Sequence, residues 1–70
     1  MAENQTSGSK KLSPREIEIL RLIATGHTDL EITERLVISL DSVDGEIRKI
    51  FKKINVPNRL QAVLWAAKNL

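Results

Sequence analysis

The chain has 70 residues, with 11 Lys and Arg against 9 Asp and Glu and a formal net charge of +2 at pH 7. It contains no cysteine, which excludes disulfides and cysteine-ligated metal sites and fits a reducing compartment. It has neither an apolar run near the roughly 18 residues that cross a membrane nor the apolar core of a secretory signal. We therefore expect a cytoplasmic protein with no membrane partner.

The first eleven residues differ in composition from the rest. Residues 1–11 are polar, with no large apolar side chain apart from the initial methionine, so we expect a disordered tail or a linker. Residues 12–70 should form one small domain. Without Lys10, Lys11 and Glu3, the domain keeps nine basic and eight acidic residues. Any binding of nucleic acid must then depend on how these charges are distributed.

The first helix is predicted to begin at the stretch "SPRE". Ser13 would be the N-cap, Pro14 the first helical residue, and Glu16 the partner that completes a capping box with Ser13. Gly26 marks the end, because glycine readily adopts the left-handed conformation that terminates helices. Ile17, Leu20 and Ala24 are expected to share the core-facing side of this helix, with Ile23 flanking them.

The second helix is predicted to begin at "TDLE", where Thr28 and Glu31 would form another capping box. Ile32 and Leu36 are four residues apart and therefore share one face of this helix. The helix should be short and end near Val37.

The third helix is predicted to begin after Ser39, with Asp41 placed to interact favourably with the helix dipole. The sequence "NVP" at residues 55–57 should end it. Spacings of four, three and four residues are typical of one helical face. They predict a core stripe of Val43, Ile47, Ile50 and Ile54.

The fourth helix is predicted to begin at "NRLQ", with a capping box between Asn58 and Gln61. Its apolar residues cover roughly 200° of the helix, whereas packing on one side needs a stripe only somewhat over about 100° wide. The extra width suggests a homodimer contact, although some exposed apolar surface is also common on a terminal helix. The residues expected at the dimer interface are Leu60, Leu64 and Ala67.

Four helices joined by short connections, with no strand pattern, predict an all-α, compact four-helix bundle. The second and third segments, joined by the turn "VIS", form a helix-turn-helix pattern. In that motif the second of the two helices lies in the major groove of DNA and its N-terminal half contacts bases.

The segments "LSPREIEILRLIATGHTDLEITERLVIS", "SV" and "NVPNRLQAV" make residues 12–67 resemble the LuxR-type (GerE, NarL) DNA-binding domain. The resemblance covers nearly the whole predicted domain and keeps the spacing of its motifs. It implies a bacterial transcription regulator that binds double-stranded DNA sequence-specifically, with a dimer as the simplest assembly. Such a domain is either free-standing or the output end of a longer chain with an N-terminal receiver or ligand-sensing domain.

The chain departs from the family pattern at three places in the helix-turn-helix. Asp29 and Leu30 stand where the family usually has Asn-Lys, and Thr33 stands where it usually has Ala. Residues 44–46, Asp-Gly-Glu, replace Lys-x-His. Positions with which the family meets bases and phosphates have thus lost donors and gained acids.

The outward side of the third helix carries acidic residues in its N-terminal half and basic residues in its C-terminal half. This order would simply complement the helix dipole, at about 0.3–1 kcal/mol for each charge. Alternatively, Asp44 or Glu46 accepts a hydrogen bond from a cytosine amino group, and the basic side chains further along the helix contact phosphates or the edges of nucleobases. The residues expected to contact DNA are Ser42, Asp44, Gly45, Arg48, Lys49 and Lys52 on the third helix, with Thr28 and Arg15 flanking it.

Gly45 costs about 1 kcal/mol of helix stability relative to alanine. The gain would be a close approach of the backbone to a base edge or to a partner, and the alternative is a position whose function has relaxed. Residues 44–46 also raise a second hypothesis for function. In it, the domain keeps the fold, binds DNA weakly or not at all, and contacts another protein.

Other residues give little reason to expect catalysis or a cofactor. His27 has no second ligand spaced for a metal site, and neither a nucleophile with its base nor a glycine-rich phosphate loop is present. Phe51 and Trp65 are expected to be packed. Arg59 is expected to pair with an acid within the fold rather than with phosphate. The prediction is a DNA-binding protein that is not an enzyme and uses no cofactor.

Overall fold

A computed structural model describes residues 12–70, and the tail predicted at residues 1–11 lies outside this range. The described part contains four helices and no strand, in agreement with the all-α prediction. None of the four is long and apolar enough to cross a membrane. Their bounds are α1 Pro14–Ala24, α2 Asp29–Leu36, α3 Leu40–Ile54 and α4 Arg59–Asn69.

The predicted capping boxes form completely at α1 and α2. At α1 the Glu16 backbone N–H donates to Ser13 Oγ at 3.1 Å, and the Ser13 N–H donates to Glu16 Oε1 at 2.8 Å. Thr28 and Glu31 make the same exchange at α2. At α4 only one half of the predicted box forms, in which Asn58 Oδ1 accepts from the backbone N–H of Gln61 at 2.9 Å.

Three helix ends use the left-handed conformation. Gly26 has a φ of 93° and follows α1, as predicted. Val37 after α2 and Asn55 after α3 have φ of 57° and 59°. This conformation is common for asparagine but strained for a β-branched residue, so the turn between α2 and α3 holds its shape against the local preference of Val37.

The core lies where α1 packs against α4 and α3, while α2 packs against α3. The predicted stripe of α3 is confirmed, because all four of its residues are buried, and Phe51 and Trp65 pack against the core from its edge. For α1 the prediction was partly wrong. Ile17 and Ala24 are only partly buried, and the buried residues are Glu16, Ile19, Leu20 and Ile23.

The buried carboxylate of Glu16 forms an ion pair with Lys53, which joins α1 to α3. Lys53 Nζ donates to Glu16 Oε1 and Oε2 at 2.9 and 3.0 Å. Burial alone would raise the pKa of Glu16. The Ser13 N–H and the positive charges of Lys53 and Lys49 outweigh burial, so the pKa is lowered from its ordinary value of 4.5.

We expect Glu16→Gln to lower the free energy of unfolding by about 1.5–3 kcal/mol, the usual contribution of a hydrogen bond to a charged group. Because the pKa is lowered on folding, the stabilisation is complete above pH 4.5 and is lost as the pH falls through the lowered value. Urea unfolding at pH 7 and at pH 3.5 measures both effects. The difference between the two proteins should narrow at the lower pH, and a difference that stayed constant would contradict a charged Glu16.

Candidate nucleic-acid interface

The helix-turn-helix is formed by α2, the turn at residues 37–39, and α3. The turn ends in the N-cap of α3, where Ser39 Oγ accepts from the backbone N–H of Ser42 at 3.1 Å. Ser39 Oγ also donates to Ser42 Oγ at 3.0 Å. The hydroxyl of Ser42 thus accepts one bond in the cap, and its own hydrogen remains available to an outside acceptor.

The outward side of α3 is exposed along its length. It lies opposite the stripe of Val43, Ile47, Ile50 and Ile54, whose burial fixes the rotation of the helix. The six predicted DNA-contacting residues of α3 are all solvent-exposed: Ser42, Asp44, Gly45, Arg48, Lys49 and Lys52.

Asp44 and Arg48 form an ion pair on this outward side. Arg48 Nε donates to Asp44 Oδ2 at 3.0 Å, across one turn of α3. Both side chains stay largely in solvent, so the pair contributes little to stability. Its effect is local, because it places a carboxylate beside one positive charge of α3.

Gly45 lies between these two residues without a neighbour. A Cβ placed on it would meet no atom within 4 Å. Nothing inside the domain therefore requires glycine at this position.

We expect Gly45→Ala to raise the free energy of unfolding by about 1 kcal/mol, the difference in helix propensity. Thermal unfolding followed by circular dichroism measures this change. Weaker binding of a ligand by the same, more stable variant would show that the backbone of α3 approaches the ligand closely. Unchanged binding would instead favour a position of relaxed function.

Of the two flanking candidates, Thr28 lies near the start of α3 and Arg15 lies elsewhere. Thr28 lines a shallow groove between the starts of α2 and α3, where its hydroxyl is engaged in the cap of α2. Arg15 lies in the first turn of α1, with Glu18 Oε1 3.8 Å from its Nε. It neighbours Glu16, which contacts the C-terminal part of α3.

Two leucines of the same groove were not among the predicted contact residues, although Leu30 was noted as a departure from the family pattern. Leu30 is 61% exposed and Leu40 is 51% exposed, and both line the groove together with Asp41 and Asp44. Leu40 follows the N-cap of α3 and lies off the predicted core stripe, which is the signal that could have identified it.

Arg59 has the structural role that was predicted for it. Its Nη1 donates to Asp29 Oδ1 and its Nη2 donates to the carbonyl oxygen of His27, both at 2.7 Å. His27 Nδ1 lies 3.1 Å from the carbonyl oxygen of Leu22 and from Thr25 Oγ1. The two bonds of Arg59 tie the start of α4 to the loop before α2 and to the first residue of α2. Residues 12–70 contain no cluster of three potential metal ligands.

Comparison with known proteins agrees with this geometry. The model of the family described as "Bacterial regulatory proteins, luxR family", GerE, matches residues 10–66. The chain belongs to the LuxR family. The match includes the whole helix-turn-helix and most of α4, so residues 29, 30, 33 and 44–46 all lie within the matched range.

The curated relatives of this LuxR-family domain are regulatory proteins, and two of the three described here are named as transcriptional regulators. It is 43% identical over 60 residues to the transcriptional regulatory protein LiaR of Bacillus subtilis, covering 86% of this chain and 28% of the relative. It is 45% identical over 62 residues to the CsgBAC operon transcriptional regulatory protein of Escherichia coli, covering 89% and 29%. For the oxygen regulatory protein NreC of Staphylococcus aureus, the identity is 38% over 65 residues, covering 93% and 30%. The chain thus spans less than a third of each.

One side of α4 in this LuxR-family domain is buried and the other is open. Ala62 and Ala66 are buried against the core, whereas Leu60 and Leu64 are 65% and 54% exposed. Ala67 is also exposed. The three residues predicted at a dimer interface, at spacings of four and three, therefore share an apolar face that no other residue of 12–70 covers.

Proposed function

We propose that this domain binds double-stranded DNA sequence-specifically as part of a bacterial transcription regulator, with α3 in the major groove. The observation that carries the proposal is the rotation of α3. Its isoleucine stripe is buried, and its outward side presents Arg48, Lys49 and Lys52 to solvent. One helix fits the major groove, where each base pair offers a distinct pattern of donors and acceptors.

The charge distribution supports this orientation, although the net charge of the domain is small. Lys53 is held by Glu16 and Arg59 by Asp29, so these cations serve the fold. Arg48, Lys49 and Lys52 extend along the outward side of α3 towards its C-terminal end. Binding should be weaker and less dependent on salt than in a domain with a wholly basic α3, because fewer phosphates are neutralised.

The proposed assembly is a homodimer through the apolar face of α4 formed by Leu60, Leu64 and Ala67. This face is small, so α4 alone should give only weak pairing. The chain covers only 28–30% of the three relatives described above. We therefore propose an N-terminal receiver or ligand-sensing domain, in a longer cytoplasmic regulator, that brings two copies together. The two copies would bind half-sites about one helical turn apart.

Selection from random duplexes, followed by titration of the selected site at several salt concentrations, tests DNA binding. We expect a selected half-site and a linear dependence of log Kd on log salt. Loss of a single phosphate contact costs about eightfold near 0.1 M salt, so the double variant Arg48→Ala, Lys52→Ala should bind at least about eightfold more weakly. A matched double variant, Arg21→Ala with Lys68→Ala, removes two exposed cations of α1 and α4 and should bind normally. Equal losses would contradict the role of α3.

Cooperativity on a duplex with two selected half-sites tests the dimer. Leu64→Glu should abolish cooperative binding and leave the affinity for a single half-site unchanged, because the side chain is exposed and the charge opposes apolar pairing. Gln61→Glu places the same charge on α4 outside the apolar face and should keep cooperativity. Cooperativity that survives Leu64→Glu would contradict pairing through this face.

A second function is favoured by the exposed groove between α2 and α3. Leu30 and Leu40 lie beside Asp41 and Asp44, which is a surface better suited to a basic, partly apolar protein segment than to phosphates. In this alternative the domain keeps the LuxR fold and acts as a protein-interaction module. Failure to bind any duplex at low salt, even from the random pool, would favour it over DNA recognition.

A further inference from the structure

The ion pair of Asp44 and Arg48 leaves one end of the guanidinium group open. Only Nε is engaged, through its 3.0 Å bond to Asp44 Oδ2. Among residues 12–70, Nη1 and Nη2 of Arg48 have no partner. The two nitrogens form the end-on edge of a planar fork, which is the shape that matches two neighbouring acceptors.

We propose that Asp44 is a positioning residue, which holds Arg48 so that Nη1 and Nη2 donate to O6 and N7 of a guanine in the major groove. The proposal rests on the DNA-binding function proposed above and names the chemistry that its α3 recognises. Guanine presents two uncharged acceptors on this edge, and arginine is well suited to bind both.

The same carboxylate makes the phosphate backbone a poor ligand for Arg48. A phosphate at the guanidinium would lie close to the negative charge of Asp44, whereas O6 and N7 of guanine carry no net charge. Asp44 thus weakens the electrostatic attraction of α3 to the phosphates of any duplex, but it leaves the hydrogen bonding of Arg48 to guanine in place. This arrangement favours selectivity over affinity.

The surroundings of the pair allow a close approach to a base edge. Gly45 lies between Asp44 and Arg48 in sequence and adds no side chain, and a Cβ there would meet nothing within 4 Å. On the other side of α3, Ile47 and Ile50 are buried and hold the helix in place. On binding, the side chains that must still be ordered are those of Arg48 and Asp44, and the hydrogen bond between them favours one arrangement.

Asp41 provides a matched control for a test. It lies one turn before Asp44 on α3, is exposed, and has no hydrogen bond or ion pair among residues 12–70. Asp44→Asn and Asp41→Asn therefore remove the same charge from the same helix, and only the first weakens the hold on Arg48. Both substitutions are at exposed positions, and circular dichroism verifies that both variants fold.

The experiment measures binding to the selected half-site, to the same site with each guanine replaced in turn by 7-deazaguanine, and to an unrelated duplex. For the wild type, loss of one N7 acceptor should weaken binding about tenfold, within the range of a good bidentate contact. Asp41→Asn should keep this tenfold discrimination and bind all duplexes more tightly. Asp44→Asn should gain the same general affinity, but its discrimination should fall below about threefold.

The outcomes separate this proposal from the function on which it rests. If every duplex is bound in a salt-dependent way but both variants keep the same guanine discrimination, the role of Asp44 is wrong and DNA binding stands. A wild type that is indifferent to every 7-deazaguanine substitution would overturn the role of Arg48 as a guanine reader. If no duplex is bound at low salt, the proposed function and this inference both fail.

Discussion

Ile50→Ala is expected to lower the free energy of unfolding by about 2–5 kcal/mol, the usual cost of truncating a large core side chain to alanine. Ile50 is 0% exposed and lies in the middle of the stripe that packs α3 on the other helices. A domain of this size starts from a stability near the lower end of roughly 5–15 kcal/mol. A substantial fraction of the variant should therefore be unfolded at physiological temperature, and its outward side would be lost with the helix.

Urea denaturation followed by circular dichroism at 222 nm measures this loss. Ile50→Val is the conservative comparison and should cost about 0.5–1.5 kcal/mol, because it removes a single methylene. Lys52→Ala, two residues further along α3 at an exposed position, should change stability by about 0.5 kcal/mol or less. A midpoint for Ile50→Ala equal to that of Lys52→Ala would contradict the observed rotation of α3.

Asp44→Lys is expected to bind DNA more tightly and less selectively than the wild type. The substitution removes a carboxylate from the outward side of α3 and adds an ammonium group there. One additional neutralised phosphate corresponds to about an eightfold gain at 0.1 M salt, from a slope of about −0.9 for each phosphate. Affinity for an unrelated duplex should rise by at least this factor, and the ratio between the selected and the unrelated duplex should fall.

Glu18→Lys makes the same charge change at an exposed position of α1 and serves as the control. Glu18→Lys should alter the affinity for DNA only slightly, because Glu18 lies on α1, outside both α3 and the groove between α2 and α3. If Asp44→Lys binds no better than the wild type, Asp44 does not face DNA and the assignment of the outward side is wrong. If both variants gain equally, the effect belongs to net charge and not to position.

Local patterns predicted most of the fold, since they reside in short stretches of sequence. The N-caps, the two complete capping boxes and the stripe of α3 each depend on residues within a few turns of one another. The error in α1 has a different origin. Its sequence offers two adjacent apolar faces, and the choice of Ile19 over Ile17 depends on where α4 and α3 pack. Besides the Ser13 N–H, the buried carboxylate of Glu16 is met by Lys53, which lies 37 residues away in sequence.

The candidate interface was less completely predicted than the fold. The outward residues of α3 follow from its period, and the pairing of Asp44 with Arg48 agrees with their spacing of four. The groove between the starts of α2 and α3 depends on how two helices meet. The departure at Leu30 and the position of Leu40 off the core stripe therefore did not predict that these two leucines would line one groove. For Arg59, an internal role could be expected but its partners could not, because Asp29 lies 30 residues away.

The bonds of Arg59 have a mechanical consequence for a paired assembly. Arg59 is the first residue of α4 and donates to both His27 O and Asp29 Oδ1, so it joins the beginning of α4 to the beginning of α2. Two copies paired through α4 would hold their two α3 helices at a fixed distance and angle from each other. In the proposed homodimer, the length of spacer tolerated between half-sites would then depend on how firmly α4 is joined to the helix-turn-helix, and Arg59 provides one of these connections.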